Sequence, residues 1–422
     1  MPTSGGGGDT AMFDVVVAGG GCVGSTFACA SALQGLRVAL IDRQEIARQW
    51  PQGTVDLRVF AITRASQCIL DGLGVWQAIA AAGISPFREM RVWDAGGSGS
   101  IHFDCAELGE AALGHIVEQR VIQAALQQRL DSLDQVARFC PETIGSFDLQ
   151  TDRVTVHLAS GRMLQAHLLV GADGAQSQIR TQAGIQVSQQ DYEQQAIVAV
   201  VATERSHEET AWQRFLPTGP LAFLPLRDGR SSIVWSTKSE TASQLLAMDE
   251  REFCATLASS FDHRLGEITG VGERVAFALQ RLHADRYVGE RVVLIGDAAH
   301  VIHPLAGQGI NLGMLDAAVL AEVLGTARAQ GRDPGSPRCL RRFERWRRGD
   351  NQVMLWSMDG FNRLFGNTWM PARWLRNTGL TLVDRLAPVK NELARHAMGL
   401  AGDLPRLAQC RWSGAVGPAT GE

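Results

Sequence analysis

No CxxC pair occurs in the chain. Its eight cysteines (Cys22, Cys29, Cys68, Cys105, Cys140, Cys254, Cys339 and Cys410) are scattered through 422 residues. That argues against both a zinc site and a disulfide framework and suits a reducing compartment. A run of about eighteen apolar residues that would cross a bilayer is missing. The segment from Met1 to Met12 is Gly-rich and uncharged at its start, unlike a signal peptide. A strong charge of either sign is lacking too: 40 basic against 44 acidic residues leave −4, without the basic field of a nucleic-acid binder. These absences predict a cytoplasmic protein that binds no nucleic acid, with a flexible stretch at residues 1–11.

What is present is length and apolar content. A chain of this size, 45% hydrophobic with a mean hydropathy of −0.03, buries a large core and is too long for one compact unit, which predicts two domains sharing interleaved segments. Charge is unevenly spread. Fourteen basic and seven acidic residues lie between Arg338 and Glu422, leaving 26 basic and 37 acidic before them. Forty-five glycines exceed the ordinary share of about 7%, and several stand in motifs.

The first motif follows Phe13-Asp-Val-Val-Val-Ala18, a β-branched run suited to a strand buried on both faces. Gly19, Gly21 and Gly24 then spell GxGxxG, Ser25 to Gly35 is small and helical, and Arg37-Val-Ala-Leu-Ile-Asp42 is a second strand ending in an acid. In such a βαβ unit the glycines allow the tight turn, the approach of a diphosphate and close helix packing, and the acid meets a ribose. The helix N-terminus adds amide donors and partial positive charge. A second motif, Gly171-Ala-Asp173-Gly174-Ala-Gln-Ser177-Gln-Ile-Arg180, follows the strand Leu168 to Val170, and a plain NAD dehydrogenase has no need of it. The third is Val293-Leu-Ile-Gly296-Asp297-Ala-Ala-His300, continued by His303-Pro304-Leu-Ala-Gly307-Gln308-Gly309-Ile310-Asn311-Leu-Gly313. An acid after a strand accepts from a ribityl hydroxyl, and a glycine turn at a helix start aims amides at an isoalloxazine edge.

Between the motifs, helices are expected over Arg64 to Leu73, Gln119 to Leu130 and Asn311 to Ala329. Antiparallel strands are expected over Phe87 to Phe103 and in alternating segments from about 190 to 285. Beyond Arg338 the chain reads as helical and Arg/Trp-rich.

The three blocks, in this order, resemble the class A flavin-dependent aromatic hydroxylases of the p-hydroxybenzoate hydroxylase fold. The third block with Asp316, together with Asp56-Leu-Arg58, Leu73 to Trp76, Gly114 to Glu118, Phe223 to Leu226, Ile233 to Trp235 and His396 to Leu400, is similar to the ubiquinone-biosynthesis members, over about Phe13 to Leu404. The resemblance implies an α/β fold. A discontinuous Rossmann-like FAD-binding domain (12–80, 114–186 and 285–337) would carry an inserted, mainly antiparallel substrate domain (81–113 and 187–284) and a helical C-terminal region (338–422).

By motif position, the resemblance implies that Gly19, Gly21 and Gly24 hold the FAD diphosphate, Asp42 the adenosine ribose and Arg58 a phosphate. Gln119 would face the ribityl chain, Asp173 and Gly174 close the second dinucleotide motif, Asp297 bind the ribityl group, and Pro304 with Gly307, Gln308, Gly309, Ile310 and Asn311 line the flavin ring. Asp42 stands where many relatives have Glu, and Gln119 where close relatives often have Asn. The implied chemistry is reduction of FAD by NAD(P)H, addition of O₂ to give a C4a-hydroperoxide, and attack on an electron-rich phenol ring, so no catalytic triad or metal is needed.

The implied substrate is a polyprenyl-phenol intermediate of ubiquinone synthesis, with C5 the ring position favoured over C6 or C1. Two other readings stand beside it: a hydroxylase of a small soluble phenol, with a closed polar pocket, and an FAD-bound structural subunit of a biosynthetic assembly. His303 is a candidate for proton movement, His300 a lesser one. Trp93, Trp212, Trp235 and Phe223 are candidates for a substrate wall between sheet and flavin. The arginines from Arg338 to Arg348, with Phe361 to Phe365, Trp369 to Arg376 and Leu380 to Leu386, suit a helix lying on anionic lipid or on other ubiquinone-biosynthesis proteins. The expected location is cytoplasmic, peripheral to the inner membrane.

Overall fold

The computed structural model describes residues 12–51, 53–97, 99–302, 308–366 and 386–410. Outside them lie residues 1–11, the site candidates His303, Pro304 and Gly307, and, of the tail, Trp369 to Arg376 and all of Leu380 to Leu386 but its last residue. The chain runs β1 (Met12–Ala18), α1 (Cys22–Leu33), β2 (Val38–Ile41), β3 (Val59–Thr63), α2 (Arg64–Gly72), α3 (Trp76–Ala82), β4 (Ser85–Phe87), β5 (Glu89–Asp94), β6 (Ser100–Asp104), β7 (Gly114–Glu118), α4 (Gln119–Asp131), β8 (Val136–Phe139), β9 (Ile144–Leu149), β10 (Val154–Leu158), β11 (Met163–Gly171) and α5 (Gln178–Gln182). It continues with β12 (Val187–Thr203), β13 (Thr210–Leu216), β14 (Gly219–Pro225), β15 (Ser231–Lys238), α6 (Ser239–Ala247), α7 (Glu250–Ser260), β16 (Ile268–Val271), β17 (Val275–Ala284), β18 (Val292–Leu294), β19 (His300–Val301), α8 (Gly309–Ala329), α9 (Pro337–Gly366) and α10 (Ala387–Ala397). The helices expected over Arg64 to Leu73, Gln119 to Leu130 and Asn311 to Ala329 form within a residue or two of those bounds, whereas α1 starts three residues before Ser25 and β11 five before Leu168.

One sheet has the order β8-β2-β1-β11-β10-β9, with β18 on β11. β1 runs parallel to β2 and β11, and β18 parallel to β11, with Ala18 opposite Ile41 and Gly171, and Gly171 opposite Leu294. This register brings the ends of the strands before all three motifs to one level. The β-branched residues Val15, Val16 and Val17 are buried on both faces, as a central parallel strand requires. α1 and α8 cover the sheet through small residues. A Cβ at Gly313 would lie 2.6 Å from Val23 Cγ2, so only glycine lets α8 come this near to α1.

The second sheet has the order β19-β17-β12-β15-β14-β13-β5-β6, with β16 on β12. It is antiparallel except where β5 meets β13. Period-2 alternation divides its residues between two faces. Ile197, Ala199, Val201, Leu221, Phe223, Ile233 and Trp235 pack on Phe253 and Leu257 of α7 and on Phe261 beyond it. Val200 and Leu224 face the other way, toward Ile116, Val59, Ala61 and Phe87 of the small sheet β3-β7-β4. A fold with a Rossmann-like α/β layer, a mainly antiparallel second sheet and a helical C-terminal segment is thus present.

Three expectations are corrected. Phe223 and Trp235, with Trp93 and Trp212 packed against them, lie on the α7 side of the sheet rather than between sheet and cofactor motifs. Phe223 stacks on Phe261 with ring centroids 4.0 Å apart, and Trp93 sits 5.0 Å from the same ring. Cys68 and Cys410 are joined as a disulfide, although the spacing of the cysteines argued against one. α8 does have the length and hydropathy of a membrane span, but 89% of its apolar window is buried inside the protein, which makes it the central core helix.

The C-terminal segment returns to the first sheet. α9 buries Leu340, Phe343 and Arg347 and exposes Arg338, Arg341, Arg342 and Arg345, the 3-4 spacing of one helix face. After α10, Met398 packs with Cys105 and Leu113 and its carbonyl accepts from the Ala65 amide at 3.2 Å.

Candidate functional site

The first motif forms the turn from β1 into α1. Gly19 has φ +102°, and a Cβ on Gly24 would lie 1.9 Å from the Gly19 carbonyl oxygen, so both positions require glycine. Gly21 is the N-cap of α1 without a side-chain cap, and nothing lies within 4 Å of where its Cβ would be. The helix start therefore presents uncapped amides to open space, the arrangement that receives an anion. Asp42 accepts from the Gly20 amide and, at 2.9 Å, from the Gln44 amide. Asp42 also lines a small recess with Gly20, Gln127, Arg138 and Cys140. Gln127 of α4, which no motif marks, is buried and donates to both the Gly20 carbonyl at 3.3 Å and Ser25 Oγ at 3.1 Å. Its only signal was a polar residue on the inner face of α4.

Cys22 and Cys29 lie in α1, and burial pushes both thiols up to about 12. Neither is a thiolate nucleophile at neutral pH.

The second motif turns inward on itself. Asp173 accepts from Ser177 Oγ at 2.5 Å and from the Gln178 and Ile179 amides at 2.8 and 3.2 Å, so its carboxylate caps α5. Gly174, at φ +81°, reverses the chain beside it. Arg180 does what the sequence did not reveal: it is buried and donates to the Ala175 carbonyl at 2.8 Å and the Ala298 carbonyl at 2.9 Å, tying the second motif to the third.

In the third motif, Gly296 (φ +59°) starts a single 3₁₀ turn over Gly296–Ala298. Asp297 shows surface to solvent while protein crowds its other sides. That burial raises its carboxyl pKa, opposed by the charges of His300 and Arg58. Among the described residues no hydrogen-bond donor meets it. Arg58, after β2 in sequence and exposed, lies over the Phe277 ring at 5.1 Å, and its carbonyl accepts from the Gln119 amide at 2.9 Å. Arg58, Gln119 and Asp297 are therefore brought to one region, although 178 positions separate the last two.

Two residues of the turn into α8 are engaged elsewhere. Asn311 Oδ1 accepts from the Thr63 amide at 3.0 Å, and its Nδ2 donates to the Ala61 carbonyl at 2.9 Å, clasping α8 to β3. Gln308 reaches the Ala397 carbonyl at 3.3 Å. Gly309 has open space where a Cβ would stand, and Ile310 is buried. His300 is buried, with Nε2 donating to Asp316 at 2.6 Å.

An uncapped helix start, an acid at the end of the next strand and an unpartnered acid on the parallel strand level are what a dinucleotide carrying a diphosphate, a ribose and a ribityl chain needs, and the donor set fits FAD.

The comparisons agree. The model of the FAD binding domain family matches residues 12–348. The chain is 40% identical over 397 residues to the ubiquinone hydroxylase UbiL of Rhodospirillum rubrum, covering 93% of this chain and 92% of that one. It is 38% identical over 387 residues to the 3-demethoxyubiquinol 3-hydroxylase of Escherichia coli, covering 92% and 98%. In fold it is similar to the p-nitrophenol 4-monooxygenase PnpA of Pseudomonas putida, with a TM-score of 0.75 at 20% identity over 93% of this chain and 98% of that one. The chain thus belongs to the FAD-dependent aromatic monooxygenases, within the group that includes the ubiquinone-biosynthesis hydroxylases, and FAD is its cofactor.

Proposed function

We propose that the protein hydroxylates the aromatic ring of a polyprenyl-phenol intermediate of ubiquinone biosynthesis, at C5, using O₂ and NAD(P)H. The observation that carries this reading is the meeting of three separate motifs at one edge of the parallel sheet, in a chain related over nearly its whole length to hydroxylases of that pathway. Bound FAD, once reduced, supplies the activation of O₂. The chain's residues bind and orient. Gly19, Gly21 and Gly24 with the α1 amides hold the diphosphate, Asp42 the adenosine ribose, Arg58 a phosphate, and Gln119 and Asp297 the ribityl chain. Asp173, Gly174 and Asn311 act by shaping the turns, since their side chains or backbone are committed to α5 and β3. By motif position Pro304, Gly307, Gly309 and Ile310 serve the flavin ring, Gln308 does so through its backbone since its side chain is committed to Ala397, and His303 serves proton movement. The parallel sheet with α1, α4 and α8 forms the cofactor domain, and the second sheet with α6 and α7 forms the substrate domain.

A substrate with a prenyl tail is nearly insoluble in water, so the enzyme meets it at a membrane surface. The exposed arginines Arg338, Arg341, Arg342 and Arg345 of α9 are the face suited to anionic headgroups, and the location is the cytoplasmic side of the inner membrane. The pathway assignment is tested by complementing strains that each lack one ring hydroxylase and identifying the quinone intermediate. Rescue of the C5 strain is expected, and failure in every strain sinks the assignment.

A further inference from the structure

Under the Gly296–Asp297 turn lies a buried polar cluster that no cofactor motif explains. Asp316 of α8 is fully buried and accepts four hydrogen bonds: from the Gly296 amide at 3.1 Å, His300 Nε2 at 2.6 Å, Arg347 Nε at 2.8 Å and Asn351 Nδ2 at 3.1 Å. Four donors saturate the two carboxylate oxygens. Burial works against the charge, yet His300 and Arg347 hold the Asp316 carboxyl well below the usual carboxylate range. Two of the donors belong to α9, and two to the chain on either side of Asp297.

α9 is held by the same cluster. Arg347 also donates from its other arm to Asn351 Oδ1 at 2.7 Å, and Glu344 accepts from the Tyr287 amide at 2.8 Å. The Tyr287 hydroxyl lies 3.0 Å from His283 Nε2. A three-residue 3₁₀ turn has little internal bonding with which to fix its own direction. The turn closes with one bond of its own, from the Ala299 amide to the Gly296 carbonyl at 2.8 Å, and the Gly296 amide goes to Asp316. α8 presses on the turn as well: a Cβ at Gly313 would lie 3.3 Å from Gly296 Cα.

We propose that Arg347 and Asn351 are positioning residues of the cofactor site. Through Asp316 they set the Gly296 amide, and with it the direction in which Asp297 is presented. α9, whose Arg347 lies 31 residues beyond Asp316, is then part of the FAD site without touching FAD. The inference rests on the reading of Asp297 as an acid that meets the cofactor.

The test uses the full chain, stripped of flavin and titrated with FAD while quenching of flavin fluorescence is read. Arg347→Lys keeps the charge but loses the fork, and Asn351→Ala removes one donor. Both are compared with Leu245→Ala, a core truncation under the second sheet, after urea unfolding ranks the stability of each apoprotein. The expected result is FAD binding weakened by about tenfold or more in both α9 variants, and by less in Leu245→Ala at equal or greater destabilisation. Unchanged affinity, or affinity that merely tracks apoprotein stability across the three variants, overturns the proposal. Should Arg347→Lys fail to fold, Asn351→Ala carries the same comparison. Asp297→Ala separates the two claims. If it retains FAD, the cofactor placement fails and the inference falls with it; if it loses FAD while both α9 variants keep it, the inference alone fails.

Discussion

Asp297, the proposed ribityl-binding acid, keeps surface toward solvent, the protein around it raises its carboxyl pKa, and among the described residues no donor meets it. Asp297→Ala is therefore expected to lower FAD affinity by about tenfold or more while leaving apoprotein stability equal or slightly higher. Flavin absorbance of the purified variant and its urea midpoint check both halves. Gly24→Ala acts differently: its Cβ would sit 1.9 Å from the Gly19 carbonyl oxygen, and the backbone must shift, at a cost of about 1–3 kcal/mol. The histidines set a pH dependence. Burial lowers His115 from 6.5 to about 4, as it does His283. Between those values the unfolded chain binds more protons than the folded one. Stability is thus complete above about pH 6.5 and lost as pH falls toward 4. Urea unfolding at pH 7 and pH 5 should show the loss, and His115→Asn should flatten part of it.

At the scale of elements, the turns were legible in the sequence because their chemistry is local. Gly19 to Asp42 reads as a βαβ unit since each glycine and the terminal acid serve neighbours within about one turn or strand. The orientation of the second sheet was not legible. Alternation separates Phe223 from Leu224, but it does not say which face meets the cofactor motifs and which meets α7. The aromatic side went to α7, where Phe253 and Phe261 complete an apolar layer. Phe223→Ala should accordingly cost about 3–5 kcal/mol of stability, read by urea unfolding, with FAD affinity retained. Arg180, alone among small and polar residues, and Arg347, inside a basic run, both look solvated in the sequence, and only the fold reveals that one meets Ala298 and the other Asp316. The Cys68–Cys410 pairing, across 342 positions, is equally beyond any local pattern.

For the whole molecule, the near-neutral charge conceals an acidic body and a basic C-terminal fifth, and the structure divides the arginines of α9 between a buried and an exposed set. Arg347 is buried against Asp316, while Arg338, Arg341, Arg342 and Arg345 remain exposed. Replacing the four exposed arginines by glutamine should abolish binding to anionic vesicles in flotation while leaving FAD affinity unchanged, and persistent flotation would remove the lipid reading. The central claim, that this flavoprotein inserts oxygen into a prenylated phenol, is tested most directly with the purified FAD-bound enzyme, NAD(P)H, ¹⁸O₂ and a short-chain prenylphenol. Substrate-stimulated NAD(P)H oxidation and a product carrying one labelled oxygen on the ring are expected. NAD(P)H oxidation that the phenol leaves unchanged, with the phenol recovered unlabelled, would contradict that claim.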